Sequence, residues 1–273
     1  MIVHNYKLIQ FDHVWLSVVN NPYFQSVINF IKYKFDVKLL NNTIIVIGGD
    51  YSRVIPEYRN LYPEKTIVVY NWEQLCGGNQ WLNVANLCES AKLADEIWDY
   101  NDLNSVYFKL FHQVDVTHIY PFEYYSGIEV LTNKENPEID VLFYGLLNER
   151  RAKIISNIQL QMYNKFNMVI ALGTTVEESY KYIENSKIVL NIHAFEPWHR
   201  QEQERIGFLL GNRKCILGEL SQENYFNDAI VEVHADNLCN TITTLLRNDG
   251  WKHIADRGYD MFKNGKCQKI TNY

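Results

Sequence analysis

The sequence predicts an α/β protein of two successive units, each a parallel sheet with helices between its strands. Three observations predict it. Short apolar runs of strand length alternate with longer segments whose apolar residues recur at helical spacing. The alternation breaks once, between Phe122 and Asp140, where the turn-rich stretch YYSGIEVLTNKENPEID replaces any period. The chain, at 273 residues, is also of a length that favours two small domains over one large one. The expected domains are therefore residues 1–125 and 126–273.

In the first unit a strand is expected near Lys7 to Phe11, then a helix from Pro22 to Tyr33 after the start signal Asn20-Asn21, with Phe24, Val27, Ile28 and Ile31 on one face. The run from Thr43 reads as a strand ending in Gly48-Gly49-Asp50, and that from Thr66 as one ending in Asn71-Trp72-Glu73-Gln74. A helix over Trp81 to Leu93, a strand over Glu96 to Tyr100, a helix capped by Asn101-Asp102 and a strand from Val116 to Phe122 complete it. The second unit restarts with a strand from Val141 to Leu147 and a helix opening on Asn148-Glu149-Arg150-Arg151. A strand from Met168 to Gly173 follows, then a helix capped by Thr174 and Thr175. Strands at Ile188 to Ile192, Lys214 to Leu217 and Ile230 to Val233, and helices at Leu238 to Leu246 and Trp251 to Phe262, close the chain.

Composition narrows the partners. Hydrophobic residues at 47% and charged residues at 21% describe an ordinary globular chain. A net charge of −6 gives no basic footprint for nucleic acid, so any phosphate must be met by local basic pairs. The five cysteines are odd in number, scattered and without C-x-x-C spacing, which points away from a disulfide framework or zinc site and towards a reducing, cytoplasmic setting. No apolar run approaches the roughly 20 residues of a membrane span. No signal-peptide pattern opens the chain. Peripheral membrane contact stays open. The 19 Tyr fit ring stacking and also AT-rich coding, so they decide nothing alone.

The richest chemistry lies between Lys187 and Glu219. After the strand Ile188 to Ile192 come His193, Glu196, His199, Arg200, Gln201, Glu202, Glu204 and Arg205. They stand at the carboxyl end of a strand, where open α/β sheets bind ligands. On a helix, Gln201 with Arg205 and Arg200 with Glu204 are neighbours at i,i+4. An anion at this helix start would meet His193, His199, Arg200 or Arg205, while Glu202 or Glu204 would reach sugar or ribose hydroxyls. A salt-bridged surface helix shows the same spacing. The turn YGLLNERRAK offers a second helix start with Gly145, Arg150 and Arg151; it has one glycine and is neither a P-loop nor G-x-G-x-x-G. The histidines and glutamates show no H-E-x-x-H pattern, and no metal is expected. In the first unit Glu73 and Asp50, and also the pair Asp12 and His13, are candidate general bases, though such residues also serve as caps and turn formers.

Taken together, VLFYGLLNERR, then LNIHAFEPWHRQEQERIGFLLGNRKCILGE, then LLRNDGWKHIADRGYDMF, in this order from Asp140 to Phe262, resemble the C-terminal domain of group-1-like nucleotide-sugar glycosyltransferases of the GT-B fold. The first half matches in architecture only. The resemblance implies two Rossmann-like parallel-sheet domains facing a cleft, with a shortened N-terminal acceptor domain and a C-terminal donor domain. It implies a transferase moving a sugar from a nucleotide-diphosphate donor to a glycan or lipid-linked acceptor, with no cofactor and no metal. Gly145 with Arg150 or Arg151 would border the phosphates, His193 and Arg205 would face the diphosphate or transferred sugar, and Glu219 would lie near the nucleoside. Where many members carry a ribose-binding glutamate, this chain has Phe208, with Glu202 or Glu204 as substitutes. Two other readings compete: a nucleotide-sugar epimerase on the same scaffold, and a non-catalytic glycan- or partner-binding module that kept the fold and lost the chemistry.

Overall fold

The computed structural model describes residues 2–3, 6–11, 14–19, 25–35, 42–48, 51–75, 83–195, 200–223 and 225–267. The chain divides into two compact units, Met1–Phe122 and Glu123–Tyr273.

The first unit holds strands β1 (Ile2–Val3), β2 (Tyr6–Phe11), β3 (Val14–Val19), β4 (Thr43–Ile47), β5 (Thr66–Asn71), β6 (Glu96–Asp99) and β7 (His118–Ile119). They lie side by side in chain order. From β3 to β7 the pairing is parallel, as expected, but β1, β2 and β3 pair antiparallel. The expectation of a wholly parallel sheet is corrected here. Two residues separate β2 from β3, enough for a hairpin and too few for a crossover. The helices are α1 (Gln25–Lys34), α2 (Val54–Leu61), α3 (Val84–Ala91) and α4 (Asp102–His112). Helix α2 has no counterpart in the sequence reading: two turns with Pro56 in the first give too short a period to stand out. It buries Val54, Ile55 and Tyr58, and the Tyr58 hydroxyl shares a 2.7 Å hydrogen bond with buried Ser17 of β3.

One face of this sheet, with Ile44, Val46, Ile67, Val69 and Ile97, packs on Leu87 and Cys88 of α3 and Phe108 of α4. Strand residues on the alternate face meet an aromatic layer. Phe35 contacts Tyr70, Trp98 and Tyr120, and Phe30 contacts Trp72 and Phe122. Much of the chain's aromatic excess is core material of this unit.

The second unit is parallel throughout. Its strands are β8 (Ile139–Tyr144), β9 (Met168–Ala171), β10 (Ser186–Asn191), β11 (Cys215–Glu219) and β12 (Val231–Val233), in the order β12-β11-β10-β8-β9. The helices are α5 (Glu149–Met162), α6 (Val176–Glu184), α7 (Gln203–Gly211), α8 (Leu238–Arg247) and α9 (Gly250–Lys263). Strands β10 and β11 are buried almost throughout because helices cover both faces of the sheet. Val141, Phe143, Ile188, Leu190 and Leu217 pack on Ile155 and Ile158 of α5 and on Leu238 and Ile242 of α8. Helix starts follow their side chains: Asn148 accepts from the Arg151 amide, and Thr175 with Glu178 forms a capping box.

The segment that opens this unit is tied to the far end of α7. The Asn212 carboxamide accepts from the amides of Val130 and Leu131, each at 2.9 Å, and donates to the carbonyls of Ile128 and Phe208 at 2.9 and 2.8 Å. Gly211 permits the approach, since a Cβ there would stand 2.7 Å from Ile128. Asn212→Ala removes four hydrogen bonds to backbone groups, leaving the Leu131 amide without a protein partner, and is expected to lower stability by about 2–4 kcal/mol. Urea denaturation checks this, and a loss below about 0.5 kcal/mol would show that the strap is replaced by water.

Candidate functional site

Strand order locates the site. From β8 the chain steps to β9 on one side, then crosses to β10 on the other, so the winding reverses between β8 and β10. Ligands of open α/β sheets bind outside the carboxyl ends of the strands at such a point. Here those ends are Tyr144-Gly145 and Asn191, with Glu219 ending β11 beside them.

Two buried ion pairs build this edge. Glu219, 3% exposed, receives both Nη atoms of Arg150 at 2.7 Å in a fork, and its Oε2 also accepts from the His193 amide at 2.9 Å. Arg150 Nη1 donates again to the His193 carbonyl at 2.8 Å. Burial pushes the Glu219 carboxyl up, but the Arg150 hydrogen bonds and charge and the His193 amide outweigh it and hold the group below its ordinary range. Beside it Arg151, 4% exposed, uses its whole guanidinium: Nε to the Ile192 carbonyl, Nη1 to Leu146 and Nη2 to Glu202, at 2.8–2.9 Å. Asn148 binds the Ala194 carbonyl, so the first turn of α5 is fastened to the loop after β10.

Arg205 is held differently. It lies 4.1 Å over the Tyr144 ring, donates Nη2 to the Tyr144 carbonyl, and reaches Glu202 Oε2 at 3.5 Å. Its Nε is buried without a partner. Gly145 has φ +121°, a backbone that L side chains rarely adopt, and a Cβ there would meet Arg205 Nη1 at 3.4 Å. For Glu202, burial alone would raise the carboxyl, yet Arg205 and Arg151 bring it below its ordinary value. Burial pushes the Tyr144 hydroxyl up to about 12, with Glu204 and Glu202 adding to the rise and Arg205 opposing it.

The expected residues thus divide. Gly145, Arg150, Arg151, His193, Glu202, Arg205 and Glu219 come together at one sheet edge, and Glu204 is near enough to act on Arg205 and Tyr144. Glu219 is the carboxylate that fixes Arg150. Gln201 is buried, and its amide oxygen accepts from the amides of Tyr225 and Phe226 at 2.7 and 3.1 Å. The i,i+4 pairs Gln201 with Arg205 and Arg200 with Glu204 are corrected, because α7 begins at Gln203 and residues 200 and 201 precede it. Arg205 pairs instead with Glu202, three residues back. Phe208 stacks on Tyr180 of α6, centroids 5.2 Å apart. Glu196, His199, Asp50, Asp12 and His13 lie outside the described residues.

In the first unit Glu73 follows β5, half-buried, and burial raises its carboxyl above the ordinary range. Next to it is a network the sequence reading missed. Buried Asp99 accepts from Asn71 and Asn104 side chains at 2.7 and 3.0 Å and from the Asn101 amide at 2.8 Å, while Asn71 and Asn104 both donate to the Glu73 carbonyl. The available signal was a polar residue ending each of two adjacent parallel strands, Asn71 on β5 and Asp99 on β6. Among the described residues no group of three or more His, Cys, Asp or Glu is placed to hold a metal ion, and no helix is long and apolar enough to cross a membrane.

Two successive α/β units, the second with this edge at its winding reversal, have the fold of the GT-B glycosyltransferases. Among solved structures, TarM matches with a TM-score of 0.56 at 8% identity, over 81% of this chain and 51% of TarM. The chain therefore spans about half the length of TarM. Sucrose-phosphate synthase from Thermosynechococcus elongatus matches with a TM-score of 0.56 at 10% identity, over 83% of this chain and 71% of the synthase. An α-glucosyltransferase solved with UDP and a 13-mer DNA containing an HMU base gives 0.52 at 10% identity, over 81% of this chain and 75% of its own. No protein-family profile and no curated protein sequence matches the chain. At these identities the likeness establishes the fold.

The Glu219 carboxyl gives a test of how this edge is held. Its unfolded value is about 4.3 and its folded value lies lower, so its stabilisation is fully present above the unfolded value and is lost as the pH falls through the folded one. Glu219→Gln is expected to cost on the order of 3–5 kcal/mol near neutrality, because Arg150 is left without its counter-charge. The gap to the unsubstituted protein should narrow progressively in urea titrations as the pH falls below about 4. A gap that does not change with pH would show that the carboxylate charge is not what holds Arg150.

Proposed function

We propose that the protein is a glycosyltransferase whose second unit binds the diphosphate of a nucleotide-sugar donor at the carboxyl edge between β8 and β10. The observation that carries this reading is Arg205. Of the three arginines at the edge, Arg151 has every guanidinium nitrogen engaged and Arg150 forks onto Glu219, whereas Arg205 gives Nη2 to the Tyr144 carbonyl, meets a carboxylate only at 3.5 Å, on Glu202, and keeps a buried Nε without a partner. A buried unpaired donor on a cation beside a side-chain-free Gly145 suits an anionic oxygen. Departure of the sugar leaves negative charge on the diphosphate, and Arg205 with the first turn of α7 stabilises it in the role a metal plays elsewhere. Arg150 and Arg151 act as the frame. The acceptor is a glycan or a lipid-linked saccharide, and Glu73 takes the proton from its hydroxyl; a half-buried carboxyl of raised pKa suits a general base near neutral pH.

Calorimetry with UDP, GDP, ADP and dTDP, free and as sugar conjugates, tests the donor. One nucleoside diphosphate is expected to bind, and Arg205→Ala to weaken it about 10–100-fold, the worth of one or two charge-assisted hydrogen bonds, in a variant that stays folded. No binding by any of the panel would sink the reading. Glucose- or acetylglucosamine-nucleotide turnover without acceptor would favour the epimerase reading instead, and glycan binding without turnover of any donor the non-catalytic one.

Glu73→Gln is expected to lower kcat about 100- to 10,000-fold while leaving donor affinity as it was. In the unsubstituted enzyme kcat should fall as the pH drops through a value above the ordinary carboxylate range, since the base works only when ionised. A pH profile that stays flat down to about 4.5 would take the role away from Glu73.

A further inference from the structure

Three strand ends of the second unit deliver a second, unassigned set of polar side chains to His193. The imidazole is 3% exposed. Its Nε2 lies 3.3 Å from the Glu219 carbonyl oxygen and 3.3 Å from Ser221 Oγ, just past the end of β11. Ser221 Oγ in turn donates to Glu232 Oε1 of β12 at 2.6 Å. Glu232 pairs with Gly218, which pairs with Asn191, so the carboxylate and the strand leading to His193 stand on one transverse row of the sheet.

The direction of each bond follows from the groups. A carbonyl oxygen only accepts. A hydroxyl that has given its hydrogen to a carboxylate can only accept from a third group. Both neighbours of Nε2 are therefore acceptors, and the ring satisfies them with a hydrogen on that nitrogen. We propose that Ser221 and Glu232 are positioning residues that hold the His193 imidazole with its hydrogen on Nε2. The proposal rests on the reading of this edge as a diphosphate site, where it gives His193 a fixed orientation. The arrangement is that of a metal-free carboxylate, hydroxyl, imidazole chain, in which the outer partner sets the tautomer of the inner one.

The chain is also sensitive to the state of Glu232. Burial raises this carboxyl, and Glu223 adds to the rise, while the Ser221 and Gln201 hydrogen bonds oppose it. Once protonated, Glu232 donates to Ser221, whose hydrogen is then free to turn towards Nε2 and compete with the tautomer favoured by Glu219. Among the described residues, the other charges facing His193 are Glu219, itself paired with Arg150, and Glu202, paired with Arg151 and Arg205.

Long-range proton–nitrogen correlation spectra of the full chain with labelled histidine test this, with His193 assigned by its loss in His193→Gln. The expected pattern at neutral pH is a protonated Nε2 and a bare or partly protonated Nδ1. In Ser221→Ala and in Glu232→Gln the separation of the two nitrogen signals should shrink as tautomers mix, and Ser221→Thr, which keeps the hydroxyl, should restore it. A bare Nε2 in the unsubstituted protein overturns the proposal without any variant. So do unchanged His193 signals in both folded variants, which would show that neither Ser221 nor Glu232 sets the tautomer. Addition of UDP separates this from the donor reading: the predicted tautomer with His193 signals indifferent to saturating UDP keeps the relay and removes His193 from the diphosphate site.

Discussion

The carboxylate of Glu219 is the group on which the edge of the second unit depends. It joins three stretches that are distant in sequence: the end of β11, the first turn of α5 through Arg150, and the loop after β10 through the His193 amide. An ion pair taken this far from water gains little net stability, since desolvation of both charges offsets their attraction. Its contribution is registry. With Arg150 bonded to Glu219 and to the His193 carbonyl, the β10 loop can leave the sheet in one direction only, and the backbone from Asn191 to Ala194 becomes a fixed wall. Arg151 repeats the device one residue on, tying Ile192, Leu146 and Glu202.

How much of this was legible in the sequence differs between the units for a physical reason. In the second unit the inner strands β8, β10 and β11 are covered on both faces, so each carries a short apolar run, and Asn148 and Thr175 mark their helices by ordinary capping. In the first unit, β3 follows β2 after two residues and is as apolar as a parallel strand, which hides the hairpin; α2 is too short for its period to show. The site was legible as a place and not as a set of partners. Gly145, Arg150, His193, Arg205 and Glu219 all stand at strand ends or first helical turns, positions that pattern reveals. The bonds of Glu219 with His193 and with Arg150 span 26 and 69 residues, and no local spacing rule encodes these. The same limit hid Ser221 and Glu232. It also misdirected Gln201: spacing placed it beside Arg205 on a helix, while the chain carries it to two backbone amides 24 and 25 residues ahead.

Helix α7 links the site to the start of its own unit. Its first residues carry Arg205 and are preceded by Glu202, and its last turn ends at Gly211 and Asn212, where the segment from Ile128 to Leu131 is fastened. Between these ends the helix is buried almost all round, from Ile206 to Gly211. Phe208 belongs to this packing through its stack on Tyr180. A polar residue there would need a partner that a helix-to-helix contact does not supply, so the same burial that stiffens α7 explains why an aromatic side chain occupies the position.

The charge balance of the edge decides how an anion would be recognised. Among the described residues, Arg150, Arg151 and Arg205 face Glu202 and Glu219, and Glu204 lies close to Arg205, so three arginines meet three carboxylates. Such a site does not attract anions by net charge. It selects them by geometry, because the carboxylates have already desolvated and oriented the guanidinium groups, and a bound oxygen needs only the donor that the protein leaves unmet. Preorganised donors of this kind lose nothing to reorientation when charge develops on a leaving group, whereas a loose cluster of surface arginines of higher net charge would have to order itself at that moment. The acidic overall balance of the chain and an anion site are thus compatible, provided the site is built of pairs and one of its cations, Arg205, is left with a hydrogen to give.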